Sequence, residues 1–213
     1  MSRRHVLDFE RPIYELEQKV DELERFGRLN DVDVDDRGLV YLLDRFGGSF
    51  VHLIEAADAS AEGLVELLGE MPYFKDVESY GELRVPFYKR AQITAADLSL
   101  AFDGRGPGRF DDLNRLTIFA DNLVPHVLRI DGILHYADAL IARIDAEEII
   151  PLGSPEEVEI RACAVHAVEL LVNELRRSGH NVAATELDYL LWNRGQGPAY
   201  KANPRHRTRS VFY

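Results

Sequence analysis

A chain of 213 residues is long enough for one large domain or two small ones with a proper core. Its 46% hydrophobic and 29% charged residues exclude a disordered chain, and its net charge of −12 argues against a protein that wraps duplex nucleic acid. No apolar run is long enough to span a membrane, no signal-peptide h-region follows Met1-Ser2-Arg3-Arg4, and a lone Cys163 excludes an internal disulfide framework, so a cytoplasmic protein is expected.

At the front, Phe9, Ile13, Leu16, Val20 and Leu23 recur at steps of four and three, the spacing of a short coiled-coil face. Pro12 falls in the first turn of that helix, and Gly27 follows its last apolar residue as a stop. Two heptads are too few to hold a coiled coil alone, so the Phe9–Leu23 face is expected to need self-association or a partner helix. The acidic stretch from Asn30 to Asp36 reads as a linker. Residues 1–36 are therefore expected to be an amphipathic helix with its linker, and residues 37–213 a helical domain.

Gly38 to Phe46 reads as a helix ended by Gly47-Gly48, with Ser49 and Ser60 as N-caps of the next two helices and Met71-Pro72 closing the second. Between Tyr73 and Phe87 the helical pattern fails, and Gly81 and Pro86 suit a short hairpin. A helix resumes from Lys89 to Phe102, and the glycines and proline of Asp103 to Gly108 cannot sustain it. The block from Asp112 to Ala146 reads as two or three short helices broken near Pro125 and Gly132. Ser154-Pro155-Glu156-Glu157 is a capping box with proline at the first helical position, opening a helix that reaches Arg177. A last helix from Val182 to Trp192 leads to a basic tail, where Arg194, Lys201, Arg205, Arg207 and Arg209 stand with no acidic residue among them. The expected fold class is all-α, with one short irregular or hairpin excursion.

Several kinds of chemistry find little support. His52/Glu55, His135/Asp138 and His166/Glu169 each set an imidazole and a carboxylate three apart on one helical face. That order reverses the Glu-x-x-His of di-iron bundles, so no metal or cofactor is expected. Cys163 lies between Ile160 and Ala164 in an apolar helix and is expected to be a buried thiol. Nucleophile elbows, Walker loops and dinucleotide turns are absent from the sequence.

Three stretches look unlike scaffold. Phe87-Tyr88-Lys89-Arg90-Ala91-Gln92-Ile93 brings two aromatics and two cations into a helix start. Leu116 to Pro125 places Asp121 after an apolar run, and Leu187 to Asn193 sets Asp188 among apolar and aromatic neighbours. An acid in such company is a helix cap, a partner for a buried arginine, or a functional group with a tuned pKa.

These stretches, in this order, resemble the queuosine-salvage family. The matching pieces are Phe46-Gly47-Gly48-Ser49-Phe50, Phe87 to Ile93, Phe119-Ala120-Asp121 with Val124-Pro125-His126-Val127-Leu128, Glu157-Val158-Glu159-Ile160-Arg161, Leu187 to Trp192, and His206-Arg207-Thr208-Arg209. The resemblance implies a compact helical domain related to helical DNA glycosylases. It implies hydrolysis of the N-glycosidic bond of queuosine 5′-monophosphate, releasing queuine for tRNA modification. By position, Asp121 resembles the catalytic aspartate, Phe119 a residue lining the base, and Asp188 a base-recognising carboxylate. Asn193 stands where some relatives have an aspartate.

Queuine is a 7-deazapurine, so the ring nitrogen that guanine could protonate on leaving is replaced by carbon. Stabilising the ribosyl cation then matters more, which puts weight on Asp121. Tyr88, Phe119 or Trp192 are expected to stack on the base. Lys89 and the tail residues His206, Arg207 and Arg209 are expected to meet the 5′-phosphate, with a salt bridge that orients Asp121 as the other task open to Lys89. The expected partner is thus a small nucleotide, with neither membrane nor duplex nucleic acid. Family members carry a longer N-terminal half; here Leu7 to Glu17, which resembles the opening helix of the acetyl-CoA carboxylase carboxyltransferase α subunit, stands in its place. A non-catalytic nucleotide-binding or assembly module is therefore the alternative. A nucleic-acid glycosylase, prompted by fold analogy alone, is disfavoured by the acidic charge.

Overall fold

A computed structural model describes residues 37–213, so the Phe9–Leu23 face and the acidic linker lie outside the described residues. Helix α1 (Arg37–Phe46) stops where Gly47 and Gly48 take positive φ angles of 60° and 75°, a conformation that costs a side-chain-bearing residue dearly. Helices α2 (Phe50–Ala56) and α3 (Ala61–Gly69) follow. The Ser49 and Ser60 hydroxyls accept the His52 and Gly63 N–H groups, as N-caps do. Asp112, fifty residues on, takes the Ala61 N–H and the Ser60 hydroxyl, tying the start of α3 to a distant loop.

The excursion is a two-stranded antiparallel hairpin, β1 (Val77–Tyr80) and β2 (Leu83–Pro86), turning at Gly81. Helix α4 (Lys89–Ala101) then packs with α1, α2 and α3 around Leu53, Ala61, Leu64, Ala91 and Ala95, all fully buried. A second cluster gathers Ile118, Val124, Leu128, Ala164, Val168, Val172 and Ala184. It joins α5 (Leu123–Ile130), α7 (Pro155–Arg177) and α8 (Ala184–Gly195). Helix α6 (Asp138–Asp145) and the short α9 (Pro198–Lys201) complete the set. The described part is a mostly helical domain with one hairpin. Among the described residues no helix is long and apolar enough to cross a membrane.

Two expectations are corrected. Pro125 does not break a helix: it is the third residue of α5, where an N–H would have no intrahelical acceptor, so its absence costs nothing. The apolar run before it, Leu116 to Ala120, is extended rather than helical. Cys163 is exposed. The buried stripe of α7 runs through Val158, Arg161, Ala164, Val168 and Val172, which leaves position 163 on the solvent side.

Candidate active site

The site is built around that extended strap. Leu116, Ile118 and Ala120 are buried, one in each of three apolar clusters, while Thr117, Phe119 and Asp121 share the opposite, half-buried side. This is the period of two that an extended chain imposes. The strap has no strand beside it, so its polar groups are satisfied by side chains from three helices. Gln92 of α4 accepts the Thr117 N–H at 2.8 Å, Asp188 of α8 accepts the Phe119 N–H at 2.8 Å, and the Nε of Arg161 in α7 donates to the Ala120 carbonyl at 3.0 Å. Asp121 ends the strap. Its Oδ1 accepts the N–H groups of Leu123 and Val124 at 2.7 and 3.1 Å, which orients the carboxylate by the first turn of α5. Its Oδ2 accepts no hydrogen bond from the described residues.

Asp188 is 5% exposed, on the inner face of α8. Burial pushes its carboxyl up to about 7, and the nearby charge of Asp121 adds to the rise, against the lowering effects of the Phe119 N–H bond and of Lys89. Two carboxylates within electrostatic reach, one of them with a raised pKa, form the kind of pair that acid–base chemistry uses. Lys89 opens α4. Its N–H donates to Asp76 Oδ2 at 3.2 Å, and Asp76 O also accepts the N–H groups of Phe87 and Tyr88. Those bonds hold Tyr88 at a φ of 46°, a left-handed conformation that is strained for a bulky residue.

Asp121 forms part of the wall of a cleft of about 710 Å³, within the range of small-ligand sites. Trp192 and Gly195 of α8, His126 of α5, and the tail cations Lys201, Arg205 and Arg207 line it too. Arg207 pairs with Glu147, also on the wall, at 3.3 Å. Lys201 and Arg205 make no ion pair with the described residues. His126 is buried, its Nε2 at 2.9 Å from the Tyr200 carbonyl and its Nδ1 at 3.3 Å from the Arg129 guanidinium. A carbonyl needs a donor and a guanidinium needs an acceptor, so the ring carries its proton on Nε2 and is neutral. Burial lowers its pKa in the same sense.

The sequence-derived candidates fall into two groups. Asp121, Trp192 and Arg207 line the cleft, Phe119 lies two residues before Asp121 on the strap, and the charges of Asp121 and Lys89 both act on Asp188. The others lie elsewhere. The Tyr88 ring turns onto Gly69 in the first apolar cluster, where a Cβ on that glycine would meet it at 2.8 Å. Asn193 is exposed and donates to the Tyr189 carbonyl of its own helix at 2.8 Å. His206 is 2% exposed, and burial with the charge of Arg161 pushes its imidazole down to about 4, so it supplies no cation. Arg209 is exposed and away from the cleft wall. Among the described residues no group of three or more His, Cys, Asp or Glu side chains is placed to hold a metal ion.

The sequence reading passed over the network beneath the strap. Arg161 is fully buried and ion-paired with Asp76 at 2.5 Å and Glu157 at 3.2 Å, and Tyr213 donates its hydroxyl to Glu157 at 2.7 Å. The capping box at Ser154 is therefore only half made. Ser154 accepts the Glu157 N–H, but the Glu157 carboxylate turns to Arg161 and the Gly153 N–H. A signal was present: Arg161 occupies a position on the apolar stripe of α7 between Val158 and Val165, with an acid four residues before it.

The family model described as queuosine salvage protein matches residues 33–213. The chain is 50% identical over 173 residues to the queuosine 5′-phosphate N-glycosylase/hydrolase of Sphaerobacter thermophilus, covering 81% of this chain and 54% of that protein. Proteins of the same description in Dictyostelium discoideum and Mus musculus are 40% and 37% identical, again over 81% of this chain and 54% of theirs. The chain thus spans about half the length of the curated relatives it matches.

Proposed function

The chain belongs to the queuosine salvage protein family, and from that premise we propose that it hydrolyses the N-glycosidic bond of queuosine 5′-monophosphate, releasing queuine. The observation that carries the reading is Asp121: a carboxylate oriented through one oxygen by α5, with the other unengaged, on the wall of a cleft that also bears Lys201, Arg205 and Arg207. Water adds to C1′, the electron pair of the C1′–N bond leaves with the base, and the proton lost by water is returned to that nitrogen. Positive charge builds on the ribose as the bond stretches, and Asp121 stabilises it electrostatically or positions the water. Asp188 reads the guanine-like edge of the base, Phe119 and Trp192 offer it aromatic faces, and the cationic wall takes the 5′-phosphate. Lys89 is a second catalytic candidate through its charge near Asp188. The helical DNA glycosylase relation and a cytoplasmic setting belong to the same reading. Tyr88, Asn193, His206 and Arg209 carry no direct role in it.

The test is chromatographic measurement of queuine released from the nucleotide. Asp121→Asn keeps an oxygen for the two N–H groups of α5 but removes the charge, so it should stay folded and lose activity about 10²–10³-fold. An Asp121→Asn protein that turns over like wild type sinks the assignment. The alternative reading is a nucleotide-binding or assembly module. Binding without any release of queuine would support that module, and it would overturn the enzyme. Self-association through Phe9–Leu23 goes with it, and light scattering with and without that segment measures it.

A further inference from the structure

A buried ion network is a poor way to stabilise a fold, because apolar residues of the same volume usually do as well or better. What apolar side chains cannot do is hold a carbonyl. The guanidinium of Arg161 has no exposed surface and uses all three of its nitrogens. Nε donates to the Ala120 carbonyl at 3.0 Å, Nη1 to Glu157 at 3.2 Å and Nη2 to Asp76 at 2.5 Å. Its Cζ lies 3.8 Å from the Phe87 ring centroid and 4.8 Å from that of Tyr213, so aromatic rings add to the three hydrogen bonds in fixing its place. Ala120 is the residue between Phe119 and Asp121. Asp76, at the other end of the fork, takes the Lys89 N–H on the same Oδ2 that Arg161 holds. One cation therefore ties the strap that ends in Asp121 to the helix start that carries Lys89.

We propose that Arg161 is a positioning residue for the reaction: from inside the core it holds the Phe119–Asp121 peptide in register with the Lys89 end of α4. Glu157 and Tyr213 keep the guanidinium aimed. Arg161 touches no substrate and acts through Asp121. The catalytic part of this inference rests on the function proposed above; the positioning part does not.

Two variants separate the possibilities. Arg161→Lys keeps the charge between Asp76 and Glu157 but has one nitrogen where three acceptors need three. Glu157→Gln is milder, keeping an oxygen for Arg161 and Tyr213, and guards against a misfolded Arg161→Lys. Amide hydrogen exchange read residue by residue should show the Phe119, Leu123 and Val124 N–H groups exchanging about tenfold faster in either variant, with the first cluster of α1 to α4 unchanged. Uniform acceleration across both clusters, or none, would overturn the positioning role. With active wild type, kcat for queuine release should fall about ten- to a hundredfold while KM changes less than threefold. In an Asp121→Ala background the Arg161→Lys change should cost nothing further, because the two act in series. Losses that multiply, or an unchanged kcat, would overturn the catalytic part. Wild type that releases no queuine would sink the function reading, and the exchange experiment would still judge the strap.

Discussion

At the scale of single residues, two acids singled out from the sequence, Asp121 and Asp188, and one passed over, Asp76, met three different fates. Asp121 orients itself on the start of α5, Asp76 partners the buried arginine, and Asp188 carries a raised pKa. Asp188 gives a prediction with a definite sign. Its folded pKa of about 7 stands above the ordinary 3.8, so between those values the folded chain keeps a proton that the unfolded chain has lost. Stability from this group is therefore present at acid pH and is lost as pH rises from about 4 through 7. Lys89 and Asp121 are the charges that bear on it, and the Phe119 N–H is its bond. Asp188→Asn keeps an acceptor for that bond and has no proton to lose. Its melting temperature should exceed that of wild type at pH 8 and not at pH 5; a gap of the same size at both would contradict the burial argument. Asp121 was legible in the sequence as an acid at the end of an apolar run, whereas the alternation of Thr117, Phe119 and Asp121 was not. Reading the run as helix failed because a five-residue apolar stretch has no period long enough to tell extended chain from buried helix.

At the scale of elements, the cleft depends on how closely α8 approaches α5. Gly195 makes that approach: a Cβ there would meet Leu123 at 2.8 Å and Val127 at 2.9 Å. Gly195 and Leu123 both line the cleft, so overpacking at this contact pushes on the floor of the site. Gly195→Ala should cost about 1–3 kcal/mol, measurable by denaturant titration, and weaken nucleotide binding in step. A variant as stable as wild type would show that the helices part freely. The caps and stops of α1, α2, α3 and α7 could be read locally, since each rests on one serine, one proline or a glycine pair. The strap could not, because its hydrogen bonds come from Gln92, Asp188 and Arg161, which lie 25, 69 and 41 residues away in sequence.

At the scale of the whole molecule, an acidic chain gathers Lys201, Arg205 and Arg207 on one cleft. Arg207 is already paired with Glu147, so Lys201 and Arg205 are the cations with charge to give a phosphate. Arg205→Ala should reduce preference for nucleotide over nucleoside about tenfold, the scale of one charge-assisted hydrogen bond. Raising salt should slow the nucleotide reaction more than the nucleoside one, because exposed charges are screened within about 10 Å at 0.1 M. Equal salt effects on both substrates would place the phosphate elsewhere. The chain belongs to its family on residues 33–213, and the ordered short motifs carried that resemblance in the sequence.

The sequence by itself determined the helices, their caps, the hairpin excursion and the acids worth watching, because these follow from periodicity and from residues acting within one turn of themselves. Only the tertiary structure decided what each acid pairs with. Burial and pairing depend on groups tens of residues apart, such as Asp76 with Arg161 and Asp188 with Phe119. It also buries His206, which lowers its imidazole pKa to about 4, and sets Lys201, Arg205 and Arg207 on the wall of the cleft. A side chain's charge is set by the water and partners around it, and those are arranged only when the chain has closed on itself.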